Sequence, residues 1–394
     1  MKYLSFSARF TTLISLLLFS SIWAFEWWSA PDALTKGAGE VSVNQLNNQF
    51  RNSNQYFKAL SALQAYETED PGEEWLRKQF AINYASFLGD NDIYREYMTW
   101  WERCPNCSAD EEALVRNTPH QGLEAVTNYV LKHAEDQAVI MFNESHFYPS
   151  HRLLLRKLLP ALKEAGFTHL AMEALSDAGA KALNKGKAVN FATGYYTREQ
   201  EYQRLLREAQ LLGFELVAYD AGGANREQLQ ARNIYDRTIG KSPEARVVVF
   251  AGYAHIEEVP TKKGKELMAY VFRKEYQIDP VTFSQTAMYR FRSKVEGVCA
   301  LDAKLLDRDR VPVDHVLINN LPIREVTGKY SITNQYEETV QLALFDKKTF
   351  NEKKPFSNLP VRSALLAPGE TFYMDLDFKR MQVLMIDRDG KIVD

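Results

Sequence analysis

Arg246-Val-Val-Val-Phe-Ala251 runs straight into Gly252-Tyr253-Ala254-His255, and an earlier stretch is built the same way: Ala138-Val-Ile-Met-Phe142 ends in Asn143-Glu144-Ser145-His146. A short, unbroken apolar run that stops at polar residues is what a strand covered on both faces requires. Three more runs share this build, His169-Leu-Ala-Met172, Phe214-Glu-Leu-Val-Ala-Tyr219 and Val281-Thr-Phe-Ser284. Helix-like stretches separate them. Ser150 is placed to cap one that carries Leu154, Leu155, Leu158, Leu159 and Leu162 on one side and stops at Gly166. Thr197 is placed to cap the next, which holds Tyr202, Leu205, Leu206 and Ala209 before Gly213, and residues 224–240 and 261–276 supply two more. Alternating buried strands and helices predict an α/β domain over residues 119–293, a mainly parallel sheet with flanking helices.

The flanks read differently. Over residues 25–118, Trp75, Leu76, Phe80, Tyr84, Phe87 and Leu88 recur at three- and four-residue steps, bounded by Asp70-Pro71-Gly72 and Gly89-Asp90-Asn91. That spacing predicts a small region of two or three packed helices, with the aromatic stripe as its core. Residues 294–394 lose the helical signal: 311–318, 339–344, 371–376 and 382–386 read as strands, and Asp389-Gly390 as a hairpin turn. A small antiparallel β domain is expected there.

At the start of the chain, Lys2 and Arg9 precede an apolar run from Phe10 to Ala24. A basic start, a short apolar core and a small closing residue predict a signal peptide over residues 1–24, cleaved after Ala24, with an uncleaved anchor as the alternative. Export to the periplasm or beyond the cell follows, and no stable membrane span is expected once the segment is removed. The 394 residues carry 48 basic and 51 acidic side chains, a charge of −3. Loss of the segment removes two bases and no acid, leaving −5. Such a balance excludes the basic face of a general nucleic-acid binder. Three cysteines are too few for a disulfide scaffold. Cys104-Pro-Asn-Cys107 has the spacing of a redox motif or half a zinc site; in an exported protein it reads as a small structural disulfide, and Cys299 as a buried free thiol.

Ligands of parallel α/β sheets bind at the carboxyl ends of strands, where loops and helix N-termini converge. Here those ends deliver Glu144 and His146, then Glu173, then Asp220, then Gly252, Tyr253 and His255. Two of only seven histidines fall at them. Glu144 and His146, two apart in extended backbone, point the same way. That suits a metal shared with His255, or a carboxylate that orients an imidazole for proton transfer. His151 and Arg152 open the next helix, and Asn225-Arg226-Glu227 opens the helix after Asp220, so Arg152 and Arg226 are candidate anion clamps, Arg152 alternatively a partner of Glu144. His120, His133 and His315 read as polar surface, His169 as structural.

Together, Phe142-Asn-Glu144-Ser-His146, the helix carrying His151-Arg152, Gly166-Phe-Thr-His-Leu-Ala-Met-Glu173, the 225–233 helix start and Val247-Val-Val-Phe-Ala-Gly252-Tyr-Ala-His255 resemble the superfamily of ChaN-like haem-uptake proteins, Tiki/TraB-type proteins and erythromycin esterases. The resemblance covers residues 136–290 and departs from the family at Asn143, where Gly is usual, and in lacking a lipobox. It implies an α/β domain with a site made of Glu144, His146, Glu173 and His255.

The reading that follows is an exported hydrolase acting on an ester or amide in a small-molecule or peptide substrate. His146, oriented by Glu144, activates water directly or through a divalent metal held by Glu144, His146 and His255. Glu173 serves as base or orienting group, and Arg152 steadies the oxyanion. Tyr253, Asp220, Arg226 and His151 line the pocket. The first alternative is a haem- or ligand-binding protein using the same pocket, with Tyr253 and the histidines on iron. The second is a partner-binding scaffold with a degenerate site.

Overall fold

The computed structural model describes residues 41–103, 107–307 and 310–393. Five helices open it: α1 (Val43–Gln49), α2 (Tyr56–Ala65), α3 (Pro71–Phe87), α4 (Asp92–Trp101) and α5 (Ala109–Asn117). The expectation of two or three helices was too few, because each break has its own local stop and start. Asp70 accepts from the backbone N–H of Gly72 and Glu73 with Pro71 behind it, Asn91 accepts from Tyr94, and Ser108 forms a reciprocal capping box with Glu111. The aromatic stripe is core: Leu76, Tyr84, Phe87 and Leu88 are buried with Tyr56, Leu60, Tyr94 and Met98.

The middle of the chain continues with α6 (Leu123–Ala134), β1 (Val139–Glu144), α7 (Pro149–Glu164), β2 (His169–Met172), α8 (Asp177–Leu183), α9 (Gln200–Leu211), β3 (Glu215–Ala218), α10 (Arg226–Arg237), β4 (Val247–Gly252), α11 (Met268–Tyr276) and β5 (Val281–Ser284). Alternate strand residues feed two cores. Ile140, Phe142, Leu170, Met172, Val248 and Phe250 face α6, α7, α8 and α9; Val139, Met141, Ala171, Val247 and Val249 face α10 and α11. This is the period of two expected of a sheet covered on both sides. Two helix starts differ from the sequence reading. Pro149, with no N–H to satisfy, takes the first position of α7 ahead of Ser150. Glu199, not Thr197, caps α9 through the N–H of Glu201 and Tyr202, while Thr197 donates to Gly194 O at 2.9 Å.

The boundary expected at 293/294 is corrected. β6 (Gly297–Asp302) and β7 (His315–Asn320) complete a seven-stranded sheet in the order β3-β2-β4-β1-β5-β7-β6, parallel throughout except for the antiparallel β6 edge. Val316 and Ile318 bury on one face of β7 and Leu317 on the other, so this run belongs to the central sheet. The antiparallel β region begins after it, with β8 (Tyr330–Thr333), β9 (Val340–Asp346), β10 (Arg362–Leu366), β11 (Thr371–Met374), β12 (Met381–Ile386) and β13 (Ile392–Val393). A β10-β9-β12-β13 sheet packs against a β8–β11 ribbon around Leu342, Leu344, Leu366 and Met374. No described helix is long and apolar enough to cross a membrane.

First and last regions are tied to each other. The buried Gln341 amide accepts from Phe57 N–H at 2.9 Å and donates to Asn54 O at 2.6 Å, and Leu365 N–H donates to Leu88 O at 3.1 Å. Gln341→Leu strands the buried Phe57 N–H, while Asn54 O keeps the Tyr56 N–H at 2.8 Å, and is expected to cost about 1–3 kcal/mol in urea unfolding, although leucine fits the apolar pattern of β9. A loss below measurement error would mean that the two regions are not coupled through this side chain.

Candidate active site at the strand ends

Register sets the site. Glu144 closes β1 opposite Gly252, which closes β4, and Glu173 follows β2 on the far side of β4. Glu144 therefore turns down into the first turn of α7. There Arg152 Nε donates to its Oε2 at 2.7 Å, and Nη2 donates to its Oε1 at 3.1 Å and to the His146 carbonyl at 2.6 Å. The other arm of the guanidinium, Nη1, reaches Glu199 Oε2 at 3.1 Å. Arg152 has no solvent exposure, and Tyr202 covers its face at 4.8 Å. Burial alone would raise Glu144; Arg152 and His146 outweigh it and hold the carboxyl below its ordinary range. Burial wins at Glu199, which is pushed up despite Arg152.

Glu144 Oε1 also lies 2.9 Å from His146 Nδ1. The imidazole lies on the Tyr196 ring at 4.0 Å between centroids and 16° between planes, and its side chain keeps 19% exposure. Its Nε2 and Cε1 come within 3.0 Å of where a Cβ on Gly252 would sit, and Glu173 Oε2 is 3.0 Å from that same point. Only a glycine lets His146 and Glu173 close over the end of β4.

A second cluster lies across that glycine. Glu173 Oε2 accepts from Gly252 N–H, and its Oε1 accepts from Arg226 Nη2 at 2.6 Å and stands 3.4 Å from His255 Nε2. Arg226 also donates to Asp220 Oδ1 at 2.9 Å, and its Nη1 is 3.2 Å from His255 Nε2. His255 Nδ1 is 2.7 Å from Glu227 Oε2. Burial pushes His255 down, but Glu173 and Glu227 outweigh it and hold it up at about 9. Burial would likewise raise Glu173, yet His255 and Arg226 keep it well below the carboxylate range.

Glu144, His146, Glu173, His255, Asp220 and Arg226 thus sit at one end of the sheet, as two Glu–His pairs facing each other across Gly252 and Glu173. Arg152 is buried between two carboxylates as a partner of Glu144, the second of the two roles expected for it. Two other residues are placed differently from the sequence reading. His151 is 1% exposed, stacks on Tyr148 and accepts from Ser145 N–H at 3.1 Å, with burial holding its pKa down near 3. The Tyr253 hydroxyl is 2.8 Å from Ser145 Oγ, and its backbone is held at φ +33° with its carbonyl accepting from Asn143 Nδ2 at 2.6 Å. Asn143 thus ties β1 to the strained turn after β4.

Neither expected cofactor fits these donors. Arg152 occupies both Glu144 oxygens, and both His255 nitrogens face Glu227, Glu173 or Arg226. Among the described residues no group of three or more His, Cys, Asp or Glu is placed to hold a metal ion. For haem, the Tyr253 hydroxyl is turned to Ser145. Apart from this site, a cavity of about 610 Å³ lies at the opposite end of the sheet, lined by α5, α6 and the end of β6. His120, His133 and His315 gather there around Tyr129, with the Tyr129 hydroxyl 2.8 Å from His315 Nδ1, so they are a cluster and not scattered surface. Cys299 is a buried free thiol and Cys107 is disulfide-bonded; Cys104 lies outside the described residues. Glu199, Glu227 and Tyr196 escaped the sequence reading. The only signal available was an acidic residue at the start of each of two helices, which is common for dipole reasons alone.

No protein-family model matches the chain, and no curated protein sequence matches it. Among solved structures, the type III effector HopBA1 is 13% identical over 50% of this chain and 93% of its own, with a TM-score of 0.36. ChaN of Campylobacter jejuni, solved with cofacial haem, is 12% identical over 49% and 91%, TM-score 0.31. The RRSP effector domain of a Vibrio vulnificus MARTX toxin is 16% identical over 55% and 49%, TM-score 0.28. The chemistry of the site rests on its own geometry.

Arg152→Met strands two buried carboxylates and is expected to cost about 3–5 kcal/mol by denaturant unfolding, with part recovered when Glu144→Gln removes one of them. His255 gives a pH signature. Its folded pKa of about 9 lies above the unfolded value near 6.5, so its contribution is complete below about 6.5 and lost as pH rises through about 9. The urea midpoints of the wild type and His255→Gln should therefore converge above that pH; a constant gap across it would refute the raised imidazole.

Proposed function

We propose that the protein is a hydrolase of esters or amides in which His146 Nε2 is the general base and needs no metal. The observation that carries this is the Arg152–Glu144–His146 chain. A carboxylate kept ionised by a buried guanidinium accepts a hydrogen bond from Nδ1–H, which leaves the Nε2 lone pair directed to the partly exposed face beside Glu173.

The steps follow from the two pairs. Nε2 takes a proton from water as the water oxygen bonds to the carbonyl carbon. The carbonyl π pair moves onto oxygen, facing the cationic side of the site. When the C–O or C–N bond breaks, the Nε2 proton passes to the leaving group. Arg226, whose side chain is 18% exposed, is the cation that reaches this surface, and His255, held charged by Glu173 and Glu227, strengthens it. Arg152 binds the carboxylate behind His146, whereas Glu173 and Glu227 both act on His255 and hold it charged. We include export through residues 1–24 in this reading, on the basic start and short apolar run alone.

The test is a panel of p-nitrophenyl esters and p-nitroanilides assayed with purified protein. His146→Ala should lower kcat/KM by about 100-fold or more with an unchanged near-UV circular dichroism spectrum, and Glu144→Gln should act in the same direction. Activity should decline above about pH 9 as His255 loses its charge. Hydrolysis that survives intact in His146→Ala would sink the assignment.

A further inference from the structure

Arg198 lies in the turn between α8 and α9, two residues from Tyr196 and next to Glu199. It is 2% exposed, and only its Nη2 has a hydrogen-bond acceptor, the carbonyl of Arg51. Nε and Nη1 have none. The rings of Tyr195, Phe191 and Phe87 surround the guanidinium at 4.4, 5.6 and 5.8 Å. The fully buried Tyr56 hydroxyl, whose ring packs on Phe87 at 5.5 Å, has no partner either. Burial keeps that phenol protonated, so it stays a donor.

Each of these groups is a donor, and a buried cation without an acceptor is costly. Two acceptors close by already carry donors. Glu199 is bound by Arg152 and by the N-terminus of α9, and Asn47 Oδ1 accepts from Tyr84 and Tyr195 at 3.1 Å each. Glu199, the anion that acts on Tyr56, is offset by Arg152, and Arg51 is a further cation near Tyr195.

We propose that Arg198 Nε and Nη1, with the Tyr56 hydroxyl, hold a small monovalent anion of the halide class, chloride under ordinary conditions, at the seam between the helical region and the 195–199 turn. A single buried guanidinium in an aromatic enclosure suits a compact monovalent ion, not a multiply charged oxyanion. The anion fixes the turn whose Tyr196 backs His146 and whose Glu199 holds Arg152. A consequence for activity rests on the hydrolase reading; the site itself does not.

Full-length protein crystallised in sodium bromide should show an anomalous bromine peak within hydrogen-bond reach of Arg198 and Tyr56. In solution, thermal unfolding in sodium chloride against sodium gluconate at equal ionic strength should show Tm rising about 2 °C per tenfold chloride above its dissociation constant. Tyr56→Phe, which removes only the hydroxyl, should weaken the halide response about three- to tenfold. Arg198→Met should abolish it, and if that variant does not fold, Tyr56→Phe and the bromide map still decide. A water without bromine signal between these groups, or an unchanged response in Tyr56→Phe, overturns the proposal. Failure of every hydrolysis assay would leave both readouts untouched.

Discussion

A guanidinium without access to solvent, Arg152, lies between two buried carboxylates, and the arrangement of the strand ends depends on it. Taken singly, each of the three charges is expensive in a protein interior, and together they leave a net negative charge. Their value is geometric. Glu144 ends β1, Arg152 belongs to the first turns of α7, and Glu199 caps α9, so one side chain fixes where two helices begin relative to one strand. Its hydrogen bond to the His146 carbonyl extends the constraint to the residue whose ring faces the site.

The same device occurs twice, with different neutralisation. Glu144 orients His146 and is itself satisfied by an arginine; Glu227 orients His255, and Glu173 adds a second negative charge beside it. Two imidazoles from adjacent parallel strands therefore sit in unlike fields only a glycine apart. Gly252 makes this possible, because any side chain there would occupy the space shared by His146 and Glu173.

Much of this was legible from the chain alone. Strands covered on both faces announce themselves as unbroken apolar runs, and where such a run stops, the next polar residue stands at the rim. That logic found Glu144, Glu173, Asp220 and His255 without any knowledge of contacts. It could not find Glu199 or Glu227, whose partners lie 47 and 28 residues away and whose local setting is that of any acidic helix start. For Arg152 it offered an anion clamp or a partner of Glu144, and the structure has the second; it misjudged His151, because a polar residue on the first turn of a helix reads as exposed until the packing over it is known. It also put β7 in the wrong layer, since a run such as Val316-Leu-Ile318 has the same pattern whether a helix or a second sheet covers it.

The seam at Gln341 bears on how the chain acquires its shape. Helices α2 and α3 come from the first quarter of the sequence, yet part of their surface is covered by residues near 341 and 365, about three hundred positions later. Emerging from a ribosome, they must wait with that face open while the seven-stranded sheet forms between them and their cover. Long-range closure of this kind is slow, and exposed apolar surface in the interval invites association with other chains. The central domain can be assembled before the frame around it closes.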